Sequence, residues 1–190
     1  GSGTYNPSNS TLNATYTRSN AEITAGTVTL TLTTTGNGNC LPVSDNIIIT
    51  ISLSPTVNAG VNQTSCANNS SVILNGSVTI ATGGIWTGGA GSYNPNNITL
   101  GAIYTPSAGE IAAGTATLTL TSTGNGNCLA TSDNMTITII PAPIVNAGAD
   151  QIACANNPTV TLNGSVINAT GGIWSGGMGL FSPNNTTLNA

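Results

Sequence analysis

Side chains able to carry out acid–base, metal or redox chemistry are scarce in this sequence. Its 190 residues contain no histidine, one basic residue and five acidic residues. Because general acid–base catalysis and zinc binding depend mainly on His, Asp, Glu and Cys, little material for either is present. There is no nucleophile–base pair and no set of paired carboxylates, and the glycine run at 88–91 does not open a helix. The sequence therefore predicts a protein that is not an enzyme and that needs no metal or other cofactor.

The charge content limits the possible partners. Arg18 is the one basic residue, whereas nucleic acids and anionic membranes are bound by clusters of Lys and Arg. No apolar run approaches the roughly 18 residues of a membrane span. Charged residues make up 3% of the chain, far below the usual value of about 25%, so Thr, Ser, Asn and Gly must cover the surface. We therefore predict no nucleic-acid partner and no membrane insertion, and a neutral surface that suits association.

Four cysteines are the remaining candidates for covalent chemistry. Cys40 and Cys128 lie 88 residues apart, as do Cys66 and Cys154, and there is no CxxC pair. An even number at regular spacing is typical of disulfides formed in an oxidising, extracellular setting. The simplest bond joins Cys66 to Cys128 and stabilises by about 4 kcal/mol in the loop-entropy account. Cys40 and Cys154 would then be unpaired or bonded to partners beyond this sequence.

Two glutamates, Glu22 and Glu110, occur in the same local pattern. Each lies three residues after a serine, Ser19 or Ser107, and opens a short segment containing Ala and Gly. This is the pattern of a capping box, in which serine and glutamate side chains accept hydrogen bonds from each other's backbone N–H. We therefore predict a structural role for all four residues. The aspartates of the two Ser-Asp-Asn triplets fall short of the six to eight oxygen ligands that calcium takes.

A contact surface would be built on two threonine-rich stretches, 26–40 and 114–128. In the second, Thr115, Thr117 and Thr119 alternate with aliphatic residues, the period of a strand with one buried and one exposed face. The Gly-Asn run that follows predicts a turn. Alternation resumes at 134–139, so the unit predicts a β-hairpin. The outward threonines are a candidate contact surface, although threonine is also common on exposed strands.

The sequence repeats without a gap at a period of 88 residues. Tyr5, Tyr93 and Phe181 occupy equivalent positions, and a proline after each last strand gives a natural boundary. A period this long is typical of a string of whole domains and not of a solenoid. We predict the C-terminal part of one immunoglobulin-like repeat, a complete repeat, and the N-terminal part of a third, at 1–54, 55–142 and 143–190. The sequence thus has the form of a window from something longer.

The predicted fold class is all-β, as tandem immunoglobulin-like β-sandwiches. About seven short strands separated by turn signals fit within one repeat, and no long amphipathic helix pattern is present. Trp86 and Trp174 lie on a strand where such folds commonly bury a tryptophan, so we predict them in the core. Tyr5, Tyr93 and Phe181 lie beside glycines and are candidate contact residues. Disorder is disfavoured because 38% of the chain is apolar and patterned.

The repeat leaves a second pairing open for Cys66, which follows Pro55 by 11 residues. A fully extended segment of that length spans up to about 36 Å and would carry Cys66 to the end of the sandwich opposite the turn of Cys128. Such a separation exceeds the roughly 7 Å limit between disulfide-bonded Cα atoms. Cys66 would then meet the turn cysteine of the following unit. A bend at Ala59–Gly60 would instead permit the bond within the unit.

Several motifs resemble the PKD-like branch of immunoglobulin-like domains. They are Asn58-Ala59-Gly60 with Asn62-Gln63, Leu74-Asn75-Gly76-Ser77, and Trp86. The 88-residue form, with YTPSAGEIAAGTATLTLTSTGNGNC at 104–128, is similar to tandem repeats in giant surface adhesins of gliding Gram-negative bacteria. The resemblance covers the whole chain. It implies export to the cell surface by type IX secretion and a role in a long adhesive or motility-associated filament.

Two functional hypotheses follow from the sequence. The first is a structural and adhesive repeat region of a long extracellular bacterial surface protein, whose partners are like chains or surface glycans. The second is a carbohydrate- or ice-binding module that uses the exposed threonines and aromatic residues, because an ice-facing strand needs outward threonine at a two-residue spacing.

Overall fold

The computed structural model describes residues 1–190, and its regular structure is almost entirely β. Fifteen strands form six sheets, and two helices of six residues each complete it. No sheet joins strands from both sides of Pro55 or of Pro143. We therefore describe a first segment (1–54), a central segment (55–142) and a last segment (143–190).

The first segment contains two antiparallel strand pairs and one helix. The pairs are β1 with β2 and β3 with β4. The elements are β1 (Thr4–Asn6), β2 (Thr15–Thr17), α1 (Asn20–Ala25), β3 (Thr27–Thr33) and β4 (Ser44–Thr50).

The central segment contains a four-stranded sheet, a three-stranded sheet and a strand pair. Their orders are β6-β13-β12-β9, β10-β11-β7 and β5-β8. The elements are β5 (Thr56–Asn58), β6 (Gln63–Cys66), β7 (Val72–Ile73), β8 (Ser77–Thr79), β9 (Gly83–Gly88), β10 (Ser92–Asn94), β11 (Ile103–Thr105), α2 (Ala108–Ala113), β12 (Thr115–Thr123) and β13 (Ser132–Ile140). The last segment contributes one pair, β14 (Ile144–Asn146) with β15 (Ser165–Ile167).

The hairpin of β12 and β13 is the centre of the main sheet. Its strands are antiparallel, and Leu118 lies opposite Met135 in a register that puts both on the same face. Leu118, Leu120 and Ile137 are fully buried, while Thr115 and Thr117 on the other face are exposed. The alternation of Thr and aliphatic residues therefore produces the two-sided strand that it indicates.

The core of the central segment lies between the main sheet and the two smaller ones. Trp86 of β9 is fully buried, and its Nε1 donates to the backbone oxygen of Leu100 at 3.2 Å. Tyr104 and Leu74 come from the opposite side and are also fully buried in the same cluster. Two packed layers of mainly antiparallel strands make this segment an immunoglobulin-like β-sandwich, so the predicted all-β fold class is confirmed.

The chain changes sheets at Ala59–Gly60. Before this point β5 pairs with β8, and after it β6 pairs with β13. Gly60 has a φ of +88°, a conformation that glycine adopts without the steric cost of a Cβ. Ala59 is fully buried, and its N–H donates to the Asp133 carboxylate at 2.9 Å. This buried turn sends β6 parallel to β13, in a pairing that the sequence pattern does not indicate.

The Cys66–Cys128 bond predicted within one repeat is wrong for this fold. All four cysteines are free thiols in the structure. β13 starts four residues after Cys128 and ends at Ile140, which pairs with Cys66. A nine-residue strand thus separates the two cysteines by about 27 Å, well beyond the roughly 7 Å limit. The bend at Gly60 exists, but it leads the chain away from the turn of Cys128.

The first segment leaves open the apolar face that the central segment buries. Leu32 is 61% exposed, whereas Leu120, at the equivalent position, is 0% exposed. Ile47 is likewise 61% exposed, and its counterpart Met135 is 1% exposed. The difference arises because the first segment has no counterparts of β5, β7, β8 and β9, whose side chains cover this face in the central segment. Trp174 in the last segment is half-buried because no counterparts of β12 and β13 pack against it.

Candidate interaction surface

The start of α2 is held by the predicted capping box. The Ser107 hydroxyl accepts from the Glu110 N–H at 3.3 Å, and the Ser107 N–H donates to Glu110 Oε2 at 2.8 Å. The helix ends at Gly114, whose φ of 75° is left-handed and suits glycine. Ser19 and Glu22 form the same box at α1. The two glutamates therefore act on the backbone of their own chain.

A tyrosine that the sequence analysis did not single out completes this arrangement. The Tyr104 hydroxyl donates to Glu110 Oε1 at 2.8 Å and accepts from the Gly91 N–H at 2.9 Å. The Ala90 N–H donates to Glu110 Oε1 at 3.0 Å. Tyr104 and Glu110 thus fasten the loop after β9 to the start of α2. The sequence does contain a pattern that could have indicated this bond: Tyr104 precedes Glu110 by six residues, and Tyr16 precedes Glu22 by the same interval.

Hydrogen bonding lowers the pKa of both glutamates. Partial burial alone would raise the pKa of Glu110, but bonds from the Ser107 and Ala90 backbones and the Tyr104 hydroxyl outweigh it, so the pKa falls below its ordinary value. The Tyr16 hydroxyl and the Ser19 N–H lower the pKa of Glu22 to about 2. Both carboxylates are ionised at neutral pH and are engaged by groups of their own chain: Glu110 accepts from four donors and Glu22 from three.

The three aromatic residues predicted as contact positions are packed against their own segments. Tyr93 is half-buried, its ring lies 4.9 Å from that of Tyr104, and its hydroxyl donates to the Gly88 backbone oxygen at 3.0 Å. Tyr5 stacks on Tyr16 in the same way at 4.8 Å. Phe181 is also half-buried. Their packing explains why an aromatic residue is placed here, and a contact role for them stays a prediction.

The outer side of the main sheet is rich in threonine. We define the threonine face as the outward threonines of its four strands: Thr64, Thr87, Thr115, Thr117, Thr119, Thr121, Thr123, Thr136 and Thr138. Thr117 lies opposite Thr136, and Thr115 opposite Thr138, which itself pairs with Thr64. Strands about 4.8 Å apart, with outward residues about 6.8 Å apart along each strand, turn these pairs into a regular grid.

The threonine face is polar but uncharged. Asp133, the one charged residue of β12 and β13, points to the inner side, where it accepts from the Ala59 N–H. Thr119 lies opposite Asn134 and, on its other side, Thr87. Each outward threonine offers a hydroxyl and a methyl group, so the face can bind by many weak hydrogen bonds and apolar contacts. Sequence analysis found three of its members, and the rest follow from the strand register.

The turn that holds Cys128 packs on the end of the first segment. The Cys128 thiol donates to the backbone oxygens of Leu53 at 3.3 Å and Ser52 at 3.8 Å. The Thr131 hydroxyl donates to the backbone oxygen of Pro55 at 3.1 Å. The Cys128 bonds fix the end of the first segment to a turn of the central segment, and the Thr131 bond holds Pro55, the first residue of the central segment, on the same turn.

Comparison with known proteins gives a weak structural likeness. No protein-family model and no curated protein matches this chain. Among solved structures it is similar to extracellular cadherin domains 1–4 of protocadherin gamma B7. The likeness has a TM-score of 0.37 and 15% sequence identity, and it covers 87% of this chain and 50% of that one. The chain therefore spans half the length of the structure that it matches.

Membrane-spanning helices are not found in this structure. Both helices have six residues, and neither has the length or the apolar character needed to cross a bilayer.

Proposed function

We propose that this chain is a stretch of a tandem array of immunoglobulin-like units that forms a stalk or filament outside a bacterial cell. The observation that carries the proposal is the direct packing between segments, in which the Cys128 thiol of the central segment bonds to the backbone oxygens of Ser52 and Leu53 at the end of the first. Units joined in this way cannot swing freely on a linker. An array built from them is stiff and extended, as a stalk requires.

The mechanical role belongs to the hairpin of β12 and β13. Pulling on the chain ends loads β13, because it leads directly into the junction at Pro141–Pro143. Antiparallel β12 and parallel β6 flank β13 on both sides. Extension must therefore break ladders of backbone hydrogen bonds on two sides before a unit unfolds.

The placement outside a bacterial cell is supported by composition and by the resemblance of the repeat. Regularly spaced cysteines suit an oxidising compartment. The motif at 104–128 is similar to tandem repeats of bacterial surface adhesins, and that at 58–63 resembles PKD-like domains. We extend that resemblance to export and surface attachment as part of the proposal.

The threonine face supplies the contact surface in this proposal, with like chains as the partner. An uncharged grid offers no repulsion between copies, and many weak contacts along an array add up through multivalency. We expect Thr117→Glu to reduce association of the purified chain, measured by light scattering, because it places a charge in the middle of the face. Asn68→Glu is the control, since it adds the same charge at an exposed turn. Equal association of both variants, or none in the parent chain, would rule out this role of the face.

Glycans or ice are the second candidate partner, favoured by the regular spacing of the hydroxyl groups. A glycan array and an ice-affinity assay on the same two variants separate it from the first. Binding that Thr117→Glu abolishes and Asn68→Glu retains would favour this alternative. Retention of binding by both variants would exclude the threonine face as its site.

A further inference from the structure

Cys66 lies at the end of the central segment where the chain leaves it. It is the last residue of β6 and pairs with Ile140, the last residue of β13. The next N–H, of Ala67, donates to the Ile140 backbone oxygen at 2.9 Å. The Cys66 thiol is partly exposed. It therefore stands beside the junction that leads to the last segment.

Cys128 lies at the opposite end of the central segment, where the chain enters. Its thiol contacts the backbone oxygens of Ser52 and Leu53, at the exit of the preceding segment. The thiol is partly exposed and lines a groove with Ile51 and Ser54. Each unit thus presents one cysteine at its entrance and one at its exit.

The repeat places these two kinds of cysteine at the same junction. A shift of 88 residues turns Ser52 into Ile140, so the turn cysteine of a following unit would contact the Ile140 oxygen as Cys128 contacts that of Ser52. That same oxygen already accepts the N–H that follows Cys66. Because an amide nitrogen is about 2.4 Å from the preceding Cα, the incoming sulfur lies within about 9 Å of the Cys66 Cα. Rotation of the two side chains covers the remaining gap.

We propose that neighbouring units are joined by a disulfide between the exit cysteine of one unit, here Cys66, and the turn cysteine of the next. This inference rests on the proposed tandem array. Two thiols lose two protons and two electrons as the S–S bond forms, and a dithiol–disulfide oxidant of the extracellular or periplasmic kind accepts them and is reduced to its dithiol. Residues 1–190 do not include the turn cysteine that follows Cys66 by one unit.

The disulfide between neighbouring units adds a second covalent link to the array. Each bond links the end of β13, through β6, to the turn of the next unit. A pulled array would transmit force from unit to unit through the S–S bonds as well as through the proline-containing junctions. The inner part of each unit, between its two cysteines, would be shielded from the full load.

The first test uses the 190-residue chain with Cys40 and Cys154 changed to Ser. This chain is oxidised in dilute solution with a glutathione redox buffer and cleaved at Glu110, so that a crosslink between the two fragments of a monomer can join only Cys66 to Cys128. The proposal expects no Cys66–Cys128 peptide, because the two thiols are at opposite ends of the unit. Such a peptide as the major product would overturn it.

The second test supplies the missing neighbour. A further copy of residues 103–142 is added after Ala190 to complete the third unit. Cys40, Cys128 and Cys154 are changed to Ser, and the turn cysteine of the added copy is kept, so that it and Cys66 are the two remaining thiols. We expect oxidation to remove both remaining thiols from titration by a thiol reagent and to give one intrachain crosslink. A matched chain with Cys66→Ser should keep its single thiol.

Small-angle scattering of the lengthened chain separates the two proposals. An extended row of units with both thiols still free would refute the inter-unit disulfide but not the tandem array. A compact, globular profile would refute the array itself. Crosslinking in an extended chain supports both proposals.

Discussion

At the scale of single residues, the carboxylate of Glu110 shows how a polar group that could suggest chemistry instead serves the fold. It accepts from the N–H groups of Ser107 and Ala90 and from the Tyr104 hydroxyl. Tyr104 is fully buried, and its hydroxyl also accepts from Gly91. The network ties a glycine-rich loop to a helix start, and its donors use up the acceptor capacity of the carboxylate.

Replacement of Tyr104 by Phe should destabilise the central segment. The change leaves the Gly91 N–H without its acceptor and removes a donor to Glu110, and a buried polar group left unpaired costs about 1–3 kcal/mol. Tyr93→Phe is the matched control, because it loses only bonds to the backbone oxygens of Gly88 and Thr87 near the surface. Urea unfolding monitored by tryptophan fluorescence measures the free energy of unfolding of both variants. Equal losses in the two variants would contradict the importance of the buried network.

Stability should fall in acid as the two capping glutamates are protonated. Their pKa values in the folded chain lie below the ordinary 4.5, so their contribution is complete above pH 4.5 and disappears as the pH falls through the folded values, to about 2 for Glu22. We expect Glu110→Gln to lower stability at pH 7 and to weaken this acid dependence. Asp150→Asn is the control for loss of one carboxylate at an exposed position and should leave stability at pH 7 unchanged. Thermal melts from pH 7 to pH 2 give the comparison. If the stability of Glu110→Gln falls in acid as steeply as that of the parent chain, the assignment is contradicted.

At the scale of elements, the predictable parts of this chain are those set by local sequence. The alternation at 115–123 and 132–140 defines the hairpin, and the Ser-x-x-Glu pattern defines both helix starts. The parallel pairing of β6 with β13 was not predictable, because it depends on a buried sheet switch at Ala59–Gly60. The same sheet switch decides which cysteine Cys66 can approach closely enough to form a disulfide. The link from Tyr104 to Glu110 and Gly91 likewise requires tertiary contacts that no local pattern encodes.

Equivalent leucines in two copies of the hairpin should respond differently to truncation. Leu120→Ala removes a fully buried side chain and should cost about 2–5 kcal/mol through lost burial and the resulting cavity. Leu32→Ala changes the same position in the first segment, where the side chain is 61% exposed, and should cost less than about 1 kcal/mol. Urea unfolding of the two variants tests this. Similar losses would mean that both hairpins are covered alike, contrary to the structure.

At the scale of the whole molecule, the array depends on how the segments meet. The bonds from Cys128 to the backbone oxygens of Ser52 and Leu53 join the first and central segments directly. The junction position recurs 88 residues later, where Pro143 takes the place of Pro55. A junction repeated without a gap gives each unit the same orientation to its neighbour, so a longer chain of such units would grow as a regular fibre.

Electron microscopy of the native protein that carries this repeat tests the central claim most directly. A stalk or filament of such units would appear as thin, extended fibres, each a single array or several arrays packed side by side. Their axial repeat should be about 30–40 Å, set by nine-residue strands at about 3.4 Å per residue plus a short junction. Isolated, compact particles without an axial repeat would contradict the proposal that these units form a stalk or filament.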